Sequence, residues 1–157
     1  MSRAFVRDSD GDREVLPERA LSPHPNFVTP RGLEQIEARL QQFTEQRAAA
    51  RAGGDNAAQA RIERELRYWT ARRASARLVE PGSAGGAAAG VRFGMRVTLR
   101  LGNGEALAYR LVGEDEADAA QGLLSYVAPL ARALLGRRIG EHVPFQGGEA
   151  EIESIEP

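Results

Sequence analysis

The stretch ARAGGDNAAQARIERE, residues 50–65, decides the fold, because it interrupts one helical pattern and starts another. Upstream, Thr29 is placed as an N-cap with Pro30 at the first helical position. Leu33, Ile36, Leu40, Phe43, Arg47 and Ala50 then follow at 3,4,3,4,3 spacing, a heptad seam. Downstream, Gln59, Ile62, Leu66, Trp69, Arg73 and Ala76 repeat the same spacing. Gly53, Gly54 and the single acid Asp55 make the turn between them. Two heptad helices joined so briefly fold back on each other, which predicts an antiparallel coiled-coil hairpin over residues 30–80 with its tip at 53–56. Its helices run from about Pro30 to Ala52 and from Asn56 to Val79. Phe43 and Trp69 are then seam residues rather than a base-stacking platform.

Composition narrows the class. The chain has 157 residues, with 21 basic against 22 acidic side chains, two histidines and no cysteine. Every base is arginine. The absence of cysteine excludes disulfides, thiolate metal sites and cysteine nucleophiles, and fits a reducing cytoplasm. No apolar run is long enough to span a membrane. The start, MSRAFVRDSDGDREVLPER, lacks the apolar core of a secretion signal. Residues 30–80 hold ten arginines against seven acids, and residues 91–157 seven against ten. Charges so nearly balanced predict recognition by shape and local patches rather than by bulk field.

Residues 1–29, punctuated by Pro17, Pro23 and Pro25, read as a flexible leader. Asp8, Asp10 and Asp12 alternate around Gly11, but a calcium loop needs glutamate at its twelfth position, where Arg19 stands. Residues 81–90, within EPGSAGGAAAG, read as a linker. Residues 91–157 have a different character. Apolar β-rich runs flank Asn103-Gly104, the favoured dipeptide of a two-residue hairpin turn. GLLSYV is a further strand, and APLARALLG a short helix with Pro129 at its start and Gly136 at its C-cap. EHVPF and EAEIESIE complete a small α+β unit. In the last strand Ala150, Ile152 and Ser154 alternate with Glu149, Glu151 and Glu153, a solvated face, until the pattern breaks at its end.

Enzyme chemistry is thinly supported. His24 and His142 are remote in sequence and neither lies in a triad or metal motif. The glycines of GNGEALAYRLVG sit in a hairpin with no lysine following, which rules out a phosphate loop. Glu114, Asp115, Glu116 and Asp118 crowd the segment GEDEAD, read as a charged loop in preference to a metal site.

VGEDEADAAQGLLSYVAPLARALLGRRIGE, residues 112–141, resembles the signature region of the Gre family of bacterial transcript-cleavage factors, GreA and GreB. FVTPRGLEQIEARL resembles the start of that family's first helix, and the leader leans towards GreB. The resemblance covers nearly everything from Asn26 to Glu156. It implies an α+β protein: an N-terminal antiparallel α-helical coiled-coil hairpin followed by a small FKBP-like α+β domain. It also implies that the globular unit docks on RNA polymerase core at the rim of the secondary channel. The factor then meets DNA or RNA only indirectly, acts as a cytoplasmic monomer, and has no catalytic residue, metal site or cofactor of its own. Pro129, Leu130 and Arg132 match the family's polymerase-binding positions. Asp55 matches one of the two tip acids that help to hold the polymerase's second catalytic magnesium, since two metal ions clamp the attacking and leaving oxygens of hydrolysis.

The match fails at the tip and beside the short helix. GGDNAA keeps the aspartate and loses the family's tip glutamate. The arm is shorter than the family's by roughly eight residues per helix, which at ~1.5 Å per residue removes about 12 Å of reach. Ala128 and Val127 stand where the family has a serine and a polar residue before the proline. The expectation is a regulator of elongation that occupies the channel entrance and stimulates cleavage poorly. Two other classes stay open: a peptidyl-prolyl isomerase, for which Phe93, Tyr109, Tyr126 and Phe145 are the available aromatics, and a plain protein-interaction module.

Overall fold

The computed structural model describes residues 16–82 and 89–157. Asp8, Asp10, Asp12 and linker residues 83–88 lie outside the described residues.

Helix α1 runs Pro30–Ala52 and α2 runs Asn56–Ser75, antiparallel along each other. Thr29 caps α1, its hydroxyl accepting from the Gly32 N–H at 3.0 Å. All six seam positions of α1 are covered, whereas most of its other side chains stand in solvent. The seam of α2 follows the heptad only as far as Trp69. Arg73 is exposed and bonds Glu37, and its neighbour Arg72 is the buried one, 3% accessible. The reason is a set of acceptors beyond the arm that only the folded chain supplies. The helix also ends at Ser75, before Val79: Arg77–Leu78 becomes strand β2, pairing in parallel with β1, Phe27–Val28. The Arg77 and Val79 N–H groups donate to the Asn26 and Val28 carbonyls at 2.8 and 2.9 Å, bonds that a continued helix would forgo.

That pairing also revises the leader. Asn26, Val28 and Thr29 are buried, because the chain enters the arm between β2 and the globular unit.

The globular unit is a five-stranded sheet in the order β5-β4-β3-β7-β6. Its strands are β3 (Arg96–Leu101), β4 (Ala106–Val112), β5 (Leu123–Ser125), β6 (His142–Phe145) and β7 (Gly148–Glu156). Only β4–β5 is parallel. Val97 and Leu99 point into the core while Arg96 and Arg100 point out, the period of a half-buried strand. Helix α3, Pro129–Leu134, closes the core with Ala131 and Leu134 beside Val143 and Ile152. Gly136, at φ 81°, follows it in the left-handed region.

Two local readings change. The β3–β4 connection, residues 102–105, is longer than a two-residue turn: Leu101 N–H donates to Glu105 O at 2.8 Å across Gly102-Asn103-Gly104, and Gly104, at φ 86°, takes the left-handed position. The broken alternation of β7 is a bulge. Ser154 pairs Thr98 and Ile152 pairs Leu99, leaving Glu153 extra and turning Ile155 into the core.

Candidate interaction sites at the arm tip, the arm base and the short helix

At the tip, Gly54 adopts φ 66°, and Asp55 follows as the N-cap of α2. Its Oδ1 accepts from the Ala58 N–H at 2.9 Å, so the tip carboxylate is engaged in starting a helix. The next acid along α2, Glu63, faces Arg51 at 3.5 Å. Magnesium takes several hard oxygen ligands in near-octahedral geometry, and of these the tip offers one carboxylate, already accepting from an N–H.

The acids of GEDEAD, by contrast, face the base of the arm and part company there. Asp115 accepts from Arg72 Nε and from the Tyr68 hydroxyl, both at 2.5 Å. Arg72 Nη2 donates to Asn26 Oδ1 at 2.7 Å, and Asn26 Nδ2 donates back to the Arg72 carbonyl at 2.7 Å. Glu114 lies 3.9 Å from Arg72, with one buried oxygen that has no hydrogen-bond partner among the described residues. Glu116, 7% accessible, accepts from the Thr29 hydroxyl at 2.6 Å, so the cap of α1 is itself held by the globular unit. Asp118 turns inward to its own loop, capping the 3-10 turn Ala119–Gln121. The segment is therefore a clamp between arm and sheet.

The clamp shifts its tyrosines. Burial, then the hydrogen bond to Asp115, pushes the Tyr68 hydroxyl up to about 12. Tyr126 rises by burial and then by the charge of Glu114, while its hydroxyl donates to the Pro25 carbonyl. Phe27, Phe93 and Tyr126 pack ring to ring with centroids 5.5–6.0 Å apart. Tyr109 and Phe145 pair elsewhere, at 6.5 Å. The four aromatics considered for an isomerase pocket are thus divided between two clusters, one of them inside the arm–sheet junction.

On α3, Pro129 and Arg132 are exposed and Leu130 is half-buried against the core. Ala128, at the N-cap, offers no side-chain acceptor. Leu135 and Ile139 just beyond α3 stand 37% and 54% accessible, extending its surface with apolar area. The structure brings Pro129, Leu130 and Arg132 together on one turn of helix and leaves Asp55 at the other end of the arm. Arg72 was missed from the sequence, where it is one of an Arg-Arg pair and the heptad favours its neighbour.

Residues 87–157 match the family model described as transcription elongation factor, GreA/GreB, C-term. The chain is 36% identical over 141 residues to transcription elongation factor GreB of Xanthomonas axonopodis pv. citri, covering 75% of this chain and 83% of that one. It is 36% identical over 150 residues to transcription elongation factor GreA of Alkalilimnicola ehrlichii, covering 82% and 94%. Among solved structures it is similar to the GreA factor homolog 1 protein of Thermus thermophilus, with 24% identity, TM-score 0.39, and coverage of 85% of this chain and all of that one. The GreA/GreB structure from Nitrosomonas europaea matches at 20% identity and TM-score 0.40, over 84% of this chain and 99% of that one. With two such relatives matched over most of their length, the chain belongs to the GreA/GreB family of transcription elongation factors.

Proposed function

We propose that this chain binds RNA polymerase core as a monomer at the entrance of the secondary channel and regulates elongation by occupying it, without efficiently stimulating transcript cleavage. Pro129, Leu130 and Arg132 form the docking helix face, and Leu135 and Ile139 add apolar contact beside it. Asp55 caps α2 and does not recruit magnesium. Nucleic acid is met only through the elongation complex, and any hydrolysis is the polymerase's own.

The observation that carries this reading is the tip: a lone carboxylate already accepting from Ala58 N–H, on an arm whose first helix has only 23 residues. A metal ligand must be placed to within a few tenths of an ångström. The clamp at the arm base works against a compensating swing, since Asp115 and Glu116 tie both helices to the docking unit.

The test is a cleavage assay on a stalled, backtracked elongation complex with binding measured alongside. The expected result is association with core polymerase, little added cleavage, and competitive loss of cleavage when this chain is titrated against a cleavage-competent GreB. Strong cleavage that disappears in Asp55→Ala would overturn the reading, and failure to bind core polymerase would favour the plain interaction module.

A further inference from the structure

Residues 18–25 lie along the arm and fasten to it by side chains that the elongation-factor reading does not use. Glu18 meets Arg67 in a two-pronged ion pair, its oxygens 2.6–3.0 Å from Nε and Nη2. Arg19 Nη1 donates to Glu65 Oε2 at 2.7 Å. Its guanidinium lies 3.6 Å over the centre of the Tyr68 ring and 5.6 Å from that of Trp69. On α2 these three receptors are separated by three and four residues, so a single helix face presents a carboxylate and two aromatic rings together. The planar arginine head suits both: it stacks on the rings and bonds the carboxylate edge-on.

The receptor does not depend on Arg19 for its shape. Tyr68 is held by its hydroxyl bond to Asp115, and its ring meets Trp69 edge-on at 88° with centroids 5.0 Å apart. The strap, in contrast, is secured unevenly. Its inner end is buried at Asn26, while Glu18 and Arg67 at its outer end are 62% and 55% exposed, where ion pairs contribute little and salt screens them. Between strap and arm lies a groove of about 1070 Å³ whose walls include Leu21, His24, Ile36, Arg39 and Trp69. Trp69 Nε1 is buried there with no hydrogen-bond partner among the described residues.

We propose that Glu65, Tyr68 and Trp69 form a guanidinium-binding site on the arm, filled in cis by Arg19, which can be exchanged for an arginine side chain presented by another polypeptide. Release of Arg19 frees the outer strap, pivoting on the anchored residues after Pro25, and uncovers the groove. The arm then has a second recognition site, on its flank and separate from both tip and α3.

Trp69 is the chain's single tryptophan, so its fluorescence reports this site alone. In Arg19→Ala we expect red-shifted emission and easier quenching by acrylamide, with the far-UV circular dichroism of the hairpin unchanged. N-acetyl-arginine amide should reverse both changes in Arg19→Ala, N-acetyl-lysine amide should not, and Arg19→Lys should behave as Arg19→Ala. Glu65→Gln, which keeps both rings and the helix, should give the same red shift with Arg19 present. The proposal is overturned if Arg19→Ala and Glu65→Gln leave Trp69 emission unmoved, if the lysine amide restores it as well as the arginine amide, or if Arg19→Lys matches the wild type.

Discussion

Arg72 Nε stands 2.5 Å from Asp115 Oδ2, tying the second helix of the arm to the loop after β4 through a pair with 4% and 13% of its side-chain surfaces exposed. A buried pair loses much of its Coulomb gain to desolvation, but removing one partner strands the other. Asp115→Ala should therefore lower unfolding stability by about 3 kcal/mol. The double replacement Arg72→Met with Asp115→Leu should recover most of that. Urea melts of the wild type and the two variants decide the matter, and a loss within the ~0.5 kcal/mol of an ordinary surface change would refute it.

Tyr68 gives the molecule an alkaline limit. Its hydroxyl pKa is raised from 10.0 to about 12, so the folded chain holds this proton more tightly than the unfolded chain does. The contribution is fully present below pH 10, and it is lost as pH rises towards 12. Tyr126 shifts in the same direction. With no lysine in the chain, tyrosines dominate the titration in this window. Tyr68→Phe should flatten the fall in urea midpoint over that range, while phenolate absorbance in the wild type should show a late-titrating tyrosine. An unchanged slope in Tyr68→Phe would refute the assignment.

Asp55 separates a cap from a metal ligand. Asp55→Ala should cost about 1 kcal/mol by removing the N-cap of α2, and Asp55→Asn should cost much less, because its amide oxygen still accepts from Ala58 N–H. Thermal melts together with amide exchange in the first turn of α2 report this. Neither variant should alter the chain's effect on transcription, whereas a metal ligand would make Asn as damaging as Ala.

Pro129→Ala tests docking. Pro129 is exposed at the first position of α3, and the core side of that helix is filled by Ala131 and Leu134. The substitution should weaken association with core polymerase several-fold, each tenfold being ~1.4 kcal/mol, with the melting profile almost unchanged. Equal binding in a pull-down titration would move the docking surface away from α3.

Gly113 is needed for closeness. A β-carbon there would lie 2.4 Å from the Phe27 carbonyl oxygen, and backbone cannot rotate aside as a side chain does. Gly113→Ala should cost about 1–3 kcal/mol through overpacking and loosen β1 from β2. Protection of the Val79 amide, which donates to Val28, reads the loosening directly. Wild-type protection in the variant would contradict it.

What the sequence determined by itself was whatever a few neighbouring residues enforce. Thr29-Pro30 starts a helix, Gly53-Gly54 ends it, and Asp55 caps the next, each through backbone groups within one turn. The α1 seam, the sheet strands and the place of α3 between Pro129 and Gly136 follow from periodicity and terminal chemistry in the same way. The family resemblance added the class, carried by residues 112–141. Tertiary structure alone decided the rest. Periodicity favours Arg73 for the seam, yet Arg72 is buried, because Asn26 and Asp115, 46 and 43 residues away, supply its acceptors. The same holds for GEDEAD, which composition reads as a solvated loop and which instead grips Thr29 across 87 residues. The strap on Tyr68, the early end of α2 and the bulge at Glu153 likewise depend on partners remote in sequence. A local pattern records which way a side chain faces on its own helix or strand. Whether a charge can be buried depends on what the rest of the chain brings to it.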